Sequence, residues 1–358
     1  MTDAPEVALS MLTLVPGAMG GSETYARELT RQLATTEQVA ATAYVPANAG
    51  GFSRGIPEVV VPQVRTGAST TERLRAVATA TLRRPALPAG LRTSRIVHYP
   101  FTIPVPRPAA SQAFVQTLLD VQHLDLPQLF GRAELAFRRR YYEGAAKRAD
   151  AVITISEFAR TRMIELLGIP AERIRVAHLG VDADDYTPYV GPRQEFVLYP
   201  ARGWKHKNHA RLVEAMREVR RERPELRLVL TGGGLDTLGE LPEWVDVRGL
   251  VSGEELRELY RSASVLAFPS LYEGFGLPPL EAMASGCPVA ATDAGSVPEV
   301  CGDAAVLFDA GDPSAIAAGI LEALGRADEL SARGLEQVRL FTWQRCLDAH
   351  LDVYRSVA

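Results

Sequence analysis

The chain has 358 residues, 47% of them hydrophobic and 23% charged, with a formal net charge of -4. That length exceeds one ordinary core and suits two domains, and so small a charge imbalance argues against nucleic acid as a partner. No apolar run reaches the ~18 residues of a spanning helix, and residues 1–15 lack a basic start followed by a cleavage site, so a cytoplasmic location is expected.

Val7 to Val15 is an apolar run that enters the loop PGAMGGS and then the helix SETYARELTRQLA, where Tyr25, Leu29 and Leu33 recur at four-residue spacing. Ser22 is its expected N-cap. Further strands are expected at Val39 to Val45, Ile96 to Tyr99, Phe114 to Leu119, Ala151 to Ile155 and Ile174 to Leu179, alternating with helical patterns, which implies a parallel sheet. The helix containing FRRRYYEGAAKR turns Leu135, Tyr142, Ala146 and Ala149 inward and leaves Arg138, Arg139 and Arg140 as a solvated face. Peripheral membrane contact through those arginines is the alternative, and it is not favoured.

The segment GVDADDYTPYVGPRQE, with two prolines and two glycines, reads as a linker. The alternation then restarts with strand Phe196 to Tyr199, helix Asn208 to Arg221, strand Arg227 to Thr231, helix Ser252 to Ser262, strand Val265 to Phe268, helix Pro279 to Ser285 and strand Val289 to Thr292. The last helix, near Thr342 to Val357, aligns Trp343, Leu347, Leu351 and Tyr354 on one stripe. Cys287, Cys301 and Cys346 are widely separated with no C-x-x-C spacing, which points to buried thiols rather than a disulfide framework or a zinc site.

The densest chemical signal is PSLYEGFGLPPLEAMASGCPVAATDAGSVPEV, which reads as strand, glycine loop, helix and strand. Gly274 and Gly276 break the strand, and Pro278-Pro279 presets a first helical turn. The N–H groups and partial positive charge of such a helix start favour a phosphate oxygen. Glu273 in the loop and Glu281 in the first turn then border one pocket, each accepting from hydroxyls on one side of a bound phosphate.

The stretch SLYEGFGLPPLEAMASGCPV resembles the donor-nucleotide motif of retaining glycosyltransferases of family 4, glycosyl transferases group 1. The resemblance covers nearly the whole chain and implies a GT-B architecture: an α/β chain of two Rossmann-like domains whose parallel sheets face a central cleft. It implies an N-terminal acceptor-binding domain at 1–188, a nucleotide-sugar-binding domain at 189–341, and a helix at 342–358 that crosses back to the first domain. The partners implied are a nucleotide-sugar donor and a small-molecule, glycan or lipid-linked acceptor, with no cofactor and no metal ion.

In YPARGWKHKNH, Arg202 and Lys207 match the Arg and Lys that the family places on the donor diphosphate. Lys205 and His206 read more simply as a solvated loop. Gly20 and Gly21 resemble the glycine loop that approaches the phosphates from the first domain. By the same resemblance, Glu273 contacts hydroxyls of the donor sugar, the backbone of Phe275, Gly276 and Leu277 binds near the distal phosphate, and Glu281 holds the ribose hydroxyls. Gly232 and the Arg248 to Val251 segment, Val251 included, fall where the family lines its nucleobase pocket. Ser156 reads equally as an N-cap or a ligand.

One departure concerns the acceptor side. Many relatives end the strand matching Phe114 to Leu119 in His-Asp, whereas this chain reads TLLDVQH, with Leu119 in the histidine's place, Asp120 retained and His123 three residues on. Asp120 and His123 are the candidates for orienting an acceptor. Leu119 also motivates an alternative, a catalytically silent nucleotide-sugar-binding partner of another transferase. The DADD stretch at residues 182–185 lies at the linker, away from the proposed phosphate site, so the diphosphate is expected to be neutralised by protein cations.

Overall fold

The computed structural model describes residues 4–67, 69–82, 86–182, 185–189 and 191–358. Of the linker with its DADD stretch, Ala183, Asp184 and Val190 lie outside the described residues. The chain divides into two compact units, one formed by Met1–Gly180 with Trp343–Ala358 and the other by Val181–Thr342. Among the described residues no helix is long and apolar enough to cross a membrane.

The first unit is built on a parallel sheet of seven strands, β1 (Glu6–Ser10), β2 (Ala40–Pro46), β3 (Glu58–Val61), β4 (Ile96–Tyr99), β5 (Ala113–Thr117), β6 (Ala151–Thr154) and β7 (Ile174–Val176), in the order β3-β2-β1-β4-β5-β6-β7. The order reverses between β1 and β4, so loops leaving the carboxyl ends of those strands diverge and open a crevice. The second unit repeats the plan with β8 (Gln194–Pro200), β9 (Arg227–Thr231), β10 (Val245–Gly249), β11 (Ala263–Phe268), β12 (Val289–Thr292) and β13 (Val306–Phe308), in the order β10-β9-β8-β11-β12-β13. Its reversal falls between β8 and β11. Inner strands are apolar on both faces because helices cover both sides: Val197, Leu198 and Tyr199 of β8 and Val265 to Phe268 of β11 are fully buried.

Three strands, β3, β10 and β13, have no counterpart among the expected ones, and all three are sheet edges. An edge strand is short and half-exposed, so it lacks the continuous apolar run that marks an inner strand; β10, for example, has no fully buried residue. Expected boundaries also moved. The strand expected to reach Leu119 ends at Thr117. Gly20, not Ser22, is the N-cap of the helix Gly21–Leu33, because its φ of 57° suits a glycine and starts the helix two residues earlier. The helix with three arginines is interrupted by a π turn at Arg139–Glu143. Arg138 is not part of a solvated face: its guanidinium pairs with Glu134 at 2.9 Å and lies over the rings of Phe130 and Tyr142.

The helix Trp343–Val357 is held in the first unit by a buried chain of hydrogen bonds, each with a defined direction when both imidazoles are neutral. His350 Nδ1 must donate to the Cys346 carbonyl at 2.7 Å, so Nε2 accepts from the Tyr25 hydroxyl at 2.8 Å. Tyr25 in turn accepts from Thr117 Oγ1 at 2.8 Å, and Thr117 accepts from His98 Nε2 at 2.7 Å. His98 Nδ1 then accepts from Tyr354 at 2.7 Å, which returns the chain to the helix where it began. With both imidazoles neutral, every link pairs one donor with one acceptor.

Burial supplies that neutrality. It lowers His98 well below the usual histidine range, with His350 adding to the effect, and it lowers His350 from 6.5 to about 4. The unfolded chain therefore takes up the His350 proton first as the pH falls, and the stability from this group, whole above 6.5, is lost toward pH 4, about 3 kcal/mol in all. Urea unfolding of His350→Gln is expected to vary less with pH across that window than unfolding of the parent. Parallel profiles would show that the ring protonates in place.

Candidate functional site

In the second unit, the two loops at the sheet reversal carry the charged residues singled out above. The loop after β8 brings Lys207 and the loop after β11 brings Glu273, and Lys207 Nζ donates to Glu273 Oε1 at 2.6 Å. Both side chains are more than four-fifths buried. Lys207 lies within a 3-10 turn, Lys205–Lys207, and the fully buried Tyr199 of β8 donates its hydroxyl to the Lys207 carbonyl at 2.6 Å. The ammonium has three donors, and Glu273 accepts one.

Asn208 locks the two loops to each other. It adopts φ 63°, a conformation asparagine tolerates better than most residues, and its buried Nδ2 donates to Pro269 O at 3.0 Å and Ala310 O at 2.8 Å. The backbone adds Leu271 N to His206 O at 2.8 Å. On the other side of Glu273, Ser296 Oγ donates to Glu273 O at 3.0 Å and Phe275 O at 2.7 Å. Gly295 permits that approach, since a Cβ there would stand 2.9 Å from Glu273 O. Sequence reasoning passed over Asn208, Ser296 and Tyr199. Asn208 carried a signal, a cap-type residue directly before a helix; the other two carried none, because their partners are remote in the chain.

Arg202 is in the same loop as Lys207, with its guanidinium 5.6 Å from the ring centre of the half-exposed Trp204. A Cβ at Gly233 would be 3.7 Å from both Arg202 Nη1 and Leu250 Cδ2, so Arg202 shares its surroundings with the segment after β10, where Leu250 is 75% exposed and Val251 leads to the Ser252 N-cap. Gly232 has φ 136°, and a Cβ there would fall 2.4 Å from Ala201 O. Only glycine lets the β8 and β9 loops meet this closely. His206 is lowered to about 4, by burial first and then by Lys207, and is uncharged at neutral pH.

The helix that follows Glu273 is Leu277–Ala284, with Gly276 at its N-cap at φ 111°. Pro278 and Pro279 have no N–H, so of the four donors a helix start leaves unpaired, Gly276 and Leu277 supply the two that remain. Phe275 is buried, its ring 5.8 Å from that of Phe341, which anchors the turn from inside. Glu281 is the fifth residue of this helix and so lies in the second turn, a correction of the first-turn expectation, because the helix begins ahead of the proline pair. Its Oε2 accepts from the Tyr260 hydroxyl at 2.7 Å, and the Tyr186 hydroxyl also bonds to it. Burial raises the Glu281 carboxyl, while the two phenols and Arg257 pull it down.

In the first unit, Gly20 and Gly21 form the turn from the β1 loop into the helix Gly21–Leu33. Glu23, in the first turn, accepts from Gly17 N at 2.8 Å and is bonded by Arg27 at 3.4 Å, which fixes the loop ahead of the glycines. Asp120 Oδ1 accepts from Gln122 N at 3.0 Å and so shapes the short helix Gln122–Asp125. His123 in that helix is 1% exposed, with Nε2 3.2 Å from Glu143 and its ring flanked by Phe130 and Tyr142. Burial, and then Arg138, lower its pKa, so Nε2 carries the proton toward Glu143 and the unpartnered Nδ1 is an acceptor. Ser156 is the N-cap of Glu157–Leu167, its side chain accepting from Ala159 N at 3.0 Å.

The family model for glycosyl transferases group 1 matches residues 194–326, and that for glycosyltransferase family 4 matches residues 19–185. The chain is 31% identical over 266 residues to the O-antigen chain mannosyltransferase B of Escherichia coli, covering 67% of this chain and 70% of that protein. It is also 31% identical over 239 residues to the MMP alpha-(1->4)-mannosyltransferase of Mycolicibacterium hassiacum, covering 61% of this chain and 58% of that protein, less than two thirds of its length. Among solved structures, sucrose-phosphate synthase of Thermosynechococcus elongatus superposes with a TM-score of 0.81 at 20% identity over 99% of both chains. Anabaena HepE in complex with UDP and glucose gives 0.72 at 17% identity over 98% of this chain and 100% of that one. At those identities the structural likeness speaks for the fold alone, which is that of the GT-B glycosyltransferases.

Proposed function

This chain belongs to glycosyltransferase family 4, and from that premise we propose that it moves a hexosyl unit from a nucleotide-diphosphate sugar to an acceptor hydroxyl, with retention at the anomeric carbon and without a metal ion. The observation that carries the reading is the Lys207–Glu273 pair, a cation and a carboxylate delivered from the two loops at the sheet reversal of the second unit. A ligand at such a reversal lies across the carboxyl ends of the strands.

In this mechanism the bond from the anomeric carbon to the diphosphate oxygen breaks, and the new bond to the acceptor oxygen forms on the same face. The acceptor proton passes to the departing diphosphate oxygen. Negative charge therefore grows on the diphosphate, and Lys207, Arg202 and the N–H groups of Gly276 and Leu277 are the fixed positive groups that would meet it. Glu273 would hold sugar hydroxyls as the ring becomes cationic, and Glu281 the ribose hydroxyls. Gly232 and Val251 would border the base, Gly20 and Gly21 would approach the phosphates, and Asp120 with His123 would orient the acceptor. His123 Nδ1 offers a lone pair there, although from a buried position.

The test is a thermal-shift panel of UDP, GDP, dTDP and ADP, followed by hydrolysis of the matching nucleotide sugars in excess EDTA. A bound diphosphate at about 100 times its dissociation constant should add about 2.7 kcal/mol to stability, and slow donor hydrolysis should survive the chelator. No shift with any diphosphate would overturn the reading. Hydrolysis abolished by EDTA and restored by Mn²⁺ would overturn its metal-free part. A shift without hydrolysis or transfer would favour the silent partner that Leu119 suggests.

A further inference from the structure

Two phenols from elements distant in the chain converge on one carboxylate, and we infer that Tyr260 and Tyr186 are positioning residues that orient Glu281 so that two of its acceptor positions are left for a vicinal diol. The inference rests on the reading above, in which that diol is the ribose of the donor nucleotide. Tyr260 lies on the helix Gly253–Ser262, is fully buried, and donates to Glu281 Oε2 at 2.7 Å. Tyr186 follows the boundary between the two units and bonds to the same carboxylate.

A carboxylate has about four acceptor positions. The phenols take two, and a diol has two hydroxyls to donate. A buried carboxylate with unfilled acceptor positions is costly, so one that two neutral phenols half satisfy is prepared for a ligand that brings donors and no charge. Each phenol hydroxyl has one proton, already directed at Glu281, so neither tyrosine competes with the diol as a donor.

The charged and titratable groups acting on Glu281 are Tyr260, Tyr186 and Arg257, and all three oppose the upward push of burial. Arg257 is on the same helix as Tyr260. Asp185 acts on Tyr186 and Cys287 on Tyr260, and burial together with the Glu281 charge pushes both phenols upward, so both keep their protons at neutral pH. Removing one phenolic hydroxyl leaves burial less opposed. The Glu281 carboxyl then protonates at higher pH and stops accepting from both hydroxyls of the diol.

The experiment compares the full-length parent with Tyr260→Phe, Tyr186→Phe and Glu281→Ala by titration calorimetry as a function of pH. The probes are the ribonucleoside diphosphate that gives the largest shift in the panel and its 2′-deoxy counterpart. Tyr260→Phe should bind the ribonucleotide about tenfold more weakly, on the scale of one hydrogen bond to a charged group. It should also discriminate less against the 2′-deoxy form, and its loss of binding on acidification should begin at a higher pH. A role in packing alone would move neither the ratio nor the pH midpoint. Tyr186→Phe, at a partly exposed position, carries the same expectation and covers the case in which Tyr260→Phe does not fold.

If both phenylalanine variants keep the parental ratio and midpoint while Glu281→Ala loses affinity, the phenols do not position Glu281 and the ribose reading stands. If the parent does not distinguish the 2′-deoxy form and Glu281→Ala binds normally, the ribose reading fails and takes this inference with it.

Discussion

Lys207→Ala and Arg202→Ala are each expected to lower turnover by about 100-fold or more, the scale of removing one preorganised donor from a transition state that gains negative charge. Lys207 has the stronger case because its position is over-determined. Tyr199 holds its carbonyl, Asn208 holds the loop that follows, and Glu273 holds its ammonium. Little reorganisation would remain when the diphosphate charge develops, and the cation acts from a site that is mostly shielded from water. The alanine variant also leaves Glu273 without its cation, and breaking a shielded pair from one side costs stability, so thermal unfolding must be followed beside turnover. Lys207→Arg keeps the charge but replaces a point donor by a planar fork, and it should recover only part of the rate. Lys207→Ala turning over within a few-fold of the parent at saturating donor would remove this residue from the phosphate.

The two glutamates should separate into different kinetic roles. Glu281→Ala is expected to weaken nucleoside diphosphate binding by tenfold or more, about 1.4 kcal/mol, with a smaller effect on turnover once the donor is saturating. Glu273→Ala should lower turnover by about 100-fold while leaving diphosphate binding unchanged or tighter. The asymmetry follows from their neighbours. Glu281 is bonded by two neutral phenols and offers acceptor positions to hydroxyls that are the same in ground and transition states, whereas Glu273 holds the cation proposed for the phosphate. Removing Glu273 returns a third donor to Lys207 but takes a negative group from beside a sugar that becomes cationic. Calorimetric titration of the diphosphate and initial rates on the same preparations decide the matter: unchanged affinity in Glu281→Ala would take that residue off the ribose.

The inner strands were legible because a strand covered on both faces must be a continuous apolar run. Val265 to Phe268 and Ile96 to Tyr99 could be read as strands without knowing their neighbours. The edge strands β3, β10 and β13 could not. Glu58–Val61 and Val245–Gly249 are half solvated, and their pairing depends on a partner strand. The YEGFGLPPLE stretch was likewise readable as loop and helix start, since glycine at positive φ and proline in the first turn are local requirements.

Two α/β units, the order of their inner strands along the chain, and the loops that carry charge and glycine all follow from local residue pattern. Local pattern suffices for these, because the period of apolar residues along the chain distinguishes a one-sided helix from a strand covered on both faces. Tertiary structure alone decided which loops meet. Lys207 and Glu273 are 66 residues apart and touch because the sheet order reverses between β8 and β11. It also decided the company of each polar group: the phenols on Glu281, the Asn208 clamp, and the chain from Tyr354 through His98, Thr117 and Tyr25 to His350, which spans up to 325 residues in one link. A hydrogen bond inside a core is fixed by where two distant backbones pass, and no residue pattern within either segment encodes that crossing.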